Sequence, residues 1–219
     1  MTSIGGSLLA CYYMPQLNAQ KLTDRQQQIL EALAKMLQAA PEHKITTAKL
    51  ASNVGVSEAA LYRHFPSKTK MFEALITFAE QTLFVRIHQI TKKETTSLNR
   101  CAALLQLFLE FCEHNPGITR LLTGSPLAGE SRRLHDQVAQ FYDRLETQLR
   151  QYLRNAELQE AQRACLPISA AANLLIASAE GRVAQYVRSG FKRNPTEGWE
   201  DQWSTLTAQF MRPHRPRLG

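Results

Sequence analysis

Between residues 46 and 70 the chain gathers hydroxyls, small side chains and cations at a spacing suited to holding a nucleic acid. Phosphate contacts need cations, hydroxyls and backbone amides, and base contacts need a helix face small enough to approach the bases. Thr46, Thr47, Lys49, Ser57, Ala60, Tyr62, Arg63, His64, Lys68 and Lys70 supply that set. Ser57 can cap a short helix and leave its first amides near the position of a phosphate. On that helix Ala59 and Ala60 allow close approach to base edges. Tyr62, Arg63 and His64 reach outward at its far end, flanked by Lys68 and Lys70. Substitution of Thr46, Thr47 or Ala60 is expected to change which sequences are preferred. Tyr62 and Lys68 are expected to contact phosphate and to matter equally for all sequences.

The segment 47–65 also has the features of two short helices crossing at close range. Ala51 is the small residue at the crossing, Gly55 supplies the turn, and Leu50, Val54, Val56 and Leu61 face inward. From Lys21 to Lys70 the cations are Lys21, Arg25, Lys35, Lys44, Lys49, Arg63, Lys68 and Lys70, against Asp24, Glu31, Glu42 and Glu58. Positive charge therefore collects around the motif, as binding to a polyanion requires.

Other reactive residues do not assemble into sites. The histidines at 43, 64, 88, 114, 135 and 214 have neither metal nor catalytic spacing. Cys11, Cys101, Cys112 and Cys165 form no close pair, and Cys101 and Cys112 read as small hydrophobes in an apolar helix of a protein from a reducing cytoplasm. No serine elbow, phosphate loop after a strand, or carboxylate pair in an apolar setting is present. The expectation is a DNA-binding protein, not an enzyme, with no metal and no cofactor.

The elements that must position the motif are helical. Thr23 or Asp24 can cap a first helix carrying Ile29, Leu30, Leu33, Met36 and Leu37, closed by Pro41. Thr46 or Thr47 caps a second helix through Asn53, the third spans 58–64, and Pro66 or Ser67 opens a fourth to about Thr91. Further helical stretches run over 98–114 and 130–157, from Ile168 to about Gly190, and over 199–210, with a short turn at 118–122. Leu134, Val138, Phe141, Leu145, Leu149 and Tyr152 form one apolar stripe. No alternating strand pattern appears. The fold class is all-α, a three-helix N-terminal unit over 21–70 joined to a larger helical bundle over 71–219. Residues 1–20 show no helical period and no clustered charge, and are expected to be a disordered, dispensable extension, with Met14 a possible natural start. The chain of 219 residues and net charge +7 is long enough for a substantial core and weakly favours a polyanionic partner. No apolar stretch reaches transmembrane length.

With Ala60-Leu61-Tyr62-Arg63-His64-Phe65-Pro66-Ser67-Lys68 the chain resembles the TetR family of regulators. The resemblance implies a homodimer whose C-terminal domain supplies the dimer interface. A narrower resemblance, to the nucleoid occlusion factors of that family, rests on residues 45–51, Asn115-Pro116-Gly117, Arg120 with Leu122-Thr123-Gly124, and Val187-Arg188-Ser189 with Phe191-Lys192. It implies a cytoplasmic, nucleoid-associated protein that binds palindromic chromosomal sites on double-stranded DNA and blocks assembly of the division protein FtsZ. The partner's C-terminal tail would lie between the fourth and fifth helices against Phe78, Arg86, Leu107, His114 and Asn115. Glu110 and His114 stand where the resemblance leads one to expect glycine and arginine. Histidine is the weaker cation near neutral pH, so partner binding is expected to weaken as pH rises through the histidine range. The competing reading is a ligand-responsive repressor, in which the apolar run 104–109 would be a pocket wall instead of ordinary core.

Overall fold

The computed structural model describes residues 22–39, 45–127, 129–208 and 210–213. The N-terminal extension, His43 and His214 lie outside them. Helix α1 (Asp24–Ala39) opens on a reciprocal cap, in which the Gln26 amide donates to Thr23 Oγ1 and the Thr23 amide donates to Gln26 Oε1. Its apolar residues at helical spacing, Ile29, Leu30, Leu33, Met36 and Leu37, are all buried. Helices α2 (Thr47–Val54) and α3 (Glu58–His64) complete the three-helix unit, and α4 (Lys68–Thr91) leads from it into the bundle.

The bundle comprises α5 (Ser97–His114), α6 (Pro116–Leu122), α7 (Arg132–Gln159), α8 (Ile168–Arg188) and α9 (Trp199–Thr207). The stripe anticipated on α7 is buried in full. It meets α4 and α5 through an aromatic cluster in which Phe141 stands edge-on to Phe84 at 6.1 Å and Tyr142 edge-on to Phe108 at 6.0 Å. Leu104, Leu105, Leu107, Phe108 and Leu109 are all buried in this interior, so the run at 104–109 is core. Glu160, at the end of α7, accepts hydrogen bonds from the Ser97 amide at 2.8 Å and the Ser97 hydroxyl at 2.6 Å, which holds the start of α5. Burial raises the thiols of Cys101 and Cys112 to about 12. Both are therefore inert packing groups.

Several details depart from the sequence reading. The segment after Asn115 is an α-helix with Pro116 in its first turn, where a missing amide costs nothing. The last helix ends at Thr207, short of Phe210. Strands β1 (Gln162–Ala164) and β2 (Met211–Pro213) pair antiparallel, Arg163 opposite Arg212. Three residues are too few to show an alternating pattern, so this ribbon left no periodic trace in the sequence.

The three-helix unit is clasped to the bundle. Helix α6 lies against α1 so closely that a Cβ at Gly117 would come within 2.0 Å of the Ala34 carbonyl oxygen. One turn on, the buried Arg120 guanidinium donates to the Leu37 carbonyl at 2.7 Å. Desolvation lowers the Arg120 pKa. A guanidinium keeps its charge inside proteins, so the side chain meets the α1 carbonyl with a charge-assisted hydrogen bond.

Candidate nucleic-acid interface

Each helix of the motif is capped by a hydroxyl. Thr46 Oγ1 accepts from the Lys49 amide at 3.3 Å, Ser57 Oγ from the Ala60 amide at 3.2 Å, and Ser67 Oγ from the Lys70 amide at 3.2 Å. Between α2 and α3 the chain turns at Gly55, φ +73°. The Gly55 amide donates to the Ser52 carbonyl and the Val56 amide to the Ala51 carbonyl, closing the two end bonds of a Schellman motif. A Cβ at Gly55 would meet no neighbour, so glycine is needed there for its backbone conformation and not for space. Leu50, Ala51 and Leu61 are buried at the crossing, with Val54 and Val56 half-buried beside them.

The structure places the predicted residues in distinct settings. Lys49, Tyr62, Arg63 and Lys70 are exposed, as is Thr46, whereas Thr47, Ala60, His64 and Lys68 are half-buried. Tyr62 leaves 41% of its surface open. Among the described residues no carboxylate pairs with Lys49 or Arg63. Lys70 is paired with Glu73 at 2.5 Å, and Glu73 also takes Arg133 at 3.0 Å. Lys68 reaches out of the unit to Glu130, just before α7, at 2.5 Å.

Two positioning residues were missed by the sequence reading. Thr47 Oγ1 donates to Glu58 Oε2 at 2.7 Å and accepts from Tyr62 Oη at 3.4 Å, so Glu58 sets the rotamer of Thr47 and, through it, the tyrosine. Gln26 Nε2 donates to the His64 carbonyl at 3.2 Å, tying the end of α3 to α1. An acidic residue in the first turn of α3 was the available signal for Glu58; its partner lies across the turn on another helix. Nothing in the local pattern signalled Gln26.

The residues expected to meet a protein partner lie on α4, on α5 and at the α5–α6 corner. Phe78 and Arg86 are half-buried on α4, and Leu107 is 2% exposed on α5. Glu110 accepts from Gln106 Nε2 at 2.8 Å. Exposed His114 sits with Nδ1 2.7 Å from the Glu110 carbonyl, and Asn115 Nδ2 donates to the Phe111 carbonyl at 2.8 Å. His114 and Asn115 also line a shallow hollow of about 30 Å³ with Ala34, Lys35 and Gln38 of α1. The structure therefore brings these two together beside the DNA-reading unit, with Leu107 contributing mainly to the core.

Comparison with known proteins agrees with this architecture. Residues 29–75 match the family described as bacterial regulatory proteins, tetR family, and residues 92–211 match the SlmA-like family described as tetracyclin repressor-like, C-terminal domain. The chain is 51% identical to the nucleoid occlusion factor SlmA of Alteromonas mediterranea over 193 residues, covering 88% of this chain and 99% of that protein. It is 49% identical to the nucleoid occlusion factor SlmA of Idiomarina loihiensis, covering 88% of this chain and 98% of the other. Among solved structures, the fatty acid degradation regulator FadR from Bacillus halodurans superposes with TM-score 0.73 at 16% identity, over 85% of this chain and 96% of that one. A TetR transcription regulator from Haloarcula marismortui superposes with TM-score 0.72 at 17% identity, over 86% and 99%. At such identities these two establish the fold alone.

Proposed function

Because the chain belongs to the nucleoid occlusion factor SlmA family of TetR-type regulators, we propose that it binds chromosomal DNA as a dimer and inhibits FtsZ assembly over the nucleoid. It is a DNA-binding regulator and not an enzyme. The observation that carries the reading is the near half identity to curated nucleoid occlusion factors along almost their whole length, the C-terminal half included. A repressor of another kind would share the N-terminal unit and diverge beyond it. Among the described residues no helix is long and apolar enough to cross a membrane.

In this reading α3 enters the major groove, the amides behind Ser57 and the cations Lys49 and Arg63 meet phosphate, and Thr47 and Ala60 face bases. Lys68 exchanges Glu130 for phosphate on binding. Two outcomes follow for anisotropy titrations run at a series of salt concentrations. Lys68→Ala flattens the log–log salt slope by about 0.9. Glu130→Gln strengthens DNA binding several-fold, on the order of 1 kcal/mol, because the competing carboxylate is gone. An unchanged slope in the first variant and unchanged affinity in the second would show that Lys68 stays with Glu130.

The partner tail is acidic and apolar in this account, and Arg86 with Phe78 offers it a cation beside an apolar contact. Binding of an FtsZ C-terminal tail peptide to Arg86→Glu and His114→Ala proteins that still bind DNA tests the reading. A tenfold or greater loss is expected for Arg86→Glu, about 1.4 kcal/mol, and a smaller loss for His114→Ala. Full affinity in both variants would place the partner elsewhere. A parent protein that ignores the peptide would favour the ligand-responsive repressor.

A further inference from the structure

We propose that a cleft at the far end of the bundle, between the last turns of α4, the first turn of α5 and α7, binds a small molecule carrying a phosphate beside a flat ring, of nucleoside monophosphate type. The cleft measures about 310 Å³, at the lower end of the range for small-molecule sites. Two cations and an imidazole line it. His88 lies in the last turn of α4, Lys92 caps that helix one turn on, and Arg100 faces them from α5. Not one of the lining residues is a carboxylate. Of the acids on neighbouring elements, Glu80 pairs with Arg144 and Glu160 holds the start of α5, while Glu94 lies in the connection between Lys92 and Arg100. Arg100 is oriented by a backbone carbonyl, its Nε donating to the Glu94 oxygen at 3.2 Å.

The floor is aromatic and rigid. Tyr152, 8% exposed, donates its hydroxyl to Thr91 Oγ1 at 3.0 Å, and Thr91 donates to the Ile87 carbonyl at 2.7 Å. The Phe84 ring is held edge-on by Phe141 and covered by the Arg144 guanidinium at 4.0 Å. A ring can rest against Phe84 and Tyr152 while an attached phosphate meets Lys92 and Arg100, with Tyr152 and Arg100 held in place before the ligand arrives. On α4 these residues lie around the helix from Phe78 and Arg86, so the cleft is separate from the proposed peptide face.

Isothermal titration of the full chain with AMP, adenosine and inorganic phosphate tests the assignment. AMP is expected to saturate one site per chain, with adenosine and phosphate each at least tenfold weaker. His88→Gln/Lys92→Gln/Arg100→Gln is expected to weaken AMP at least tenfold, while Lys49→Gln/Arg63→Gln, at the DNA interface, leaves it unchanged. If the triple variant fails to fold, His88→Gln/Lys92→Gln, which alters exposed side chains alone, is expected to weaken AMP several-fold. The proposal is overturned by absence of saturable AMP binding, by AMP affinity that survives the cleft variants, or by loss of binding in the DNA-interface variant. It is equally overturned if adenosine or phosphate alone binds as tightly as AMP.

Discussion

Gly117→Ala is expected to destabilise the protein by about 3 kcal/mol and to impair DNA binding at the same time. The new methyl carbon would stand 2.0 Å from the Ala34 carbonyl oxygen and 2.8 Å from its carbon, both backbone atoms that no rotamer change can move. Relief requires α6 and α1 to separate. Separation stretches the hydrogen bond from Arg120 to the Leu37 carbonyl, and shifts the helix whose Gln26 holds the end of α3. For a chain of this size the midpoint of thermal unfolding falls by roughly 6–12 °C. Specific DNA affinity measured below that midpoint falls at least tenfold, about 1.4 kcal/mol, because the recognition helix is no longer presented at its native angle. Circular dichroism melts and anisotropy titrations read the two effects separately. An unchanged melt with unchanged affinity would mean that the α1–α6 contact does not govern how α3 is presented.

Ala177→Arg is expected to give a folded monomer whose affinity for a palindromic site is lower by about 10²–10⁴. One recognition helix reads one half-site, and two must be held about 34 Å apart to read both. Helix α8 offers the surface for this. Ala170, Leu174, Ala177, Gly181 and Ala184 are exposed and recur at steps of four and three, a stripe of small or apolar side chains along one face. Its opposite face, with Ala171, Leu175, Ile176, Ala179 and Val183, is buried within the protomer. A guanidinium in the middle of the exposed stripe keeps the helix and denies a second copy its close approach. Sedimentation velocity gives the mass, and titration with whole and half sites gives the loss. A monomer that binds the palindrome with full affinity would contradict the dimer.

Locally determined features were legible in the sequence. The caps at Thr46, Ser57 and Ser67, the glycine turn at 55 and the buried stripe of α7 follow from rules spanning one or two helical turns. Contacts between residues distant in sequence left no such trace. Lys68 reads as a phosphate ligand from its place after the motif, yet it pairs with Glu130, 62 residues away. The clasp of Gly117 on Ala34 and the tie from Arg120 to Leu37 depend on how two helices cross, which periodicity does not encode. Leu107 lay at a position matching a partner groove, and the packing of α5 places it in the core. The cationic cleft gathers residues from α4, α5 and α7 whose spacing along the chain forms no motif.

DNA-dependent inhibition of FtsZ assembly can be read by FtsZ sedimentation with GTP, in the presence of this protein and a duplex carrying a palindromic site recovered from its own chromosome by affinity enrichment. Protein and duplex together are expected to lower the polymer in the pellet, the duplex alone to leave it unchanged, and Arg86→Glu to restore the polymer while still binding the duplex. Polymer yield that is the same with and without the DNA-bound protein would contradict that inhibition.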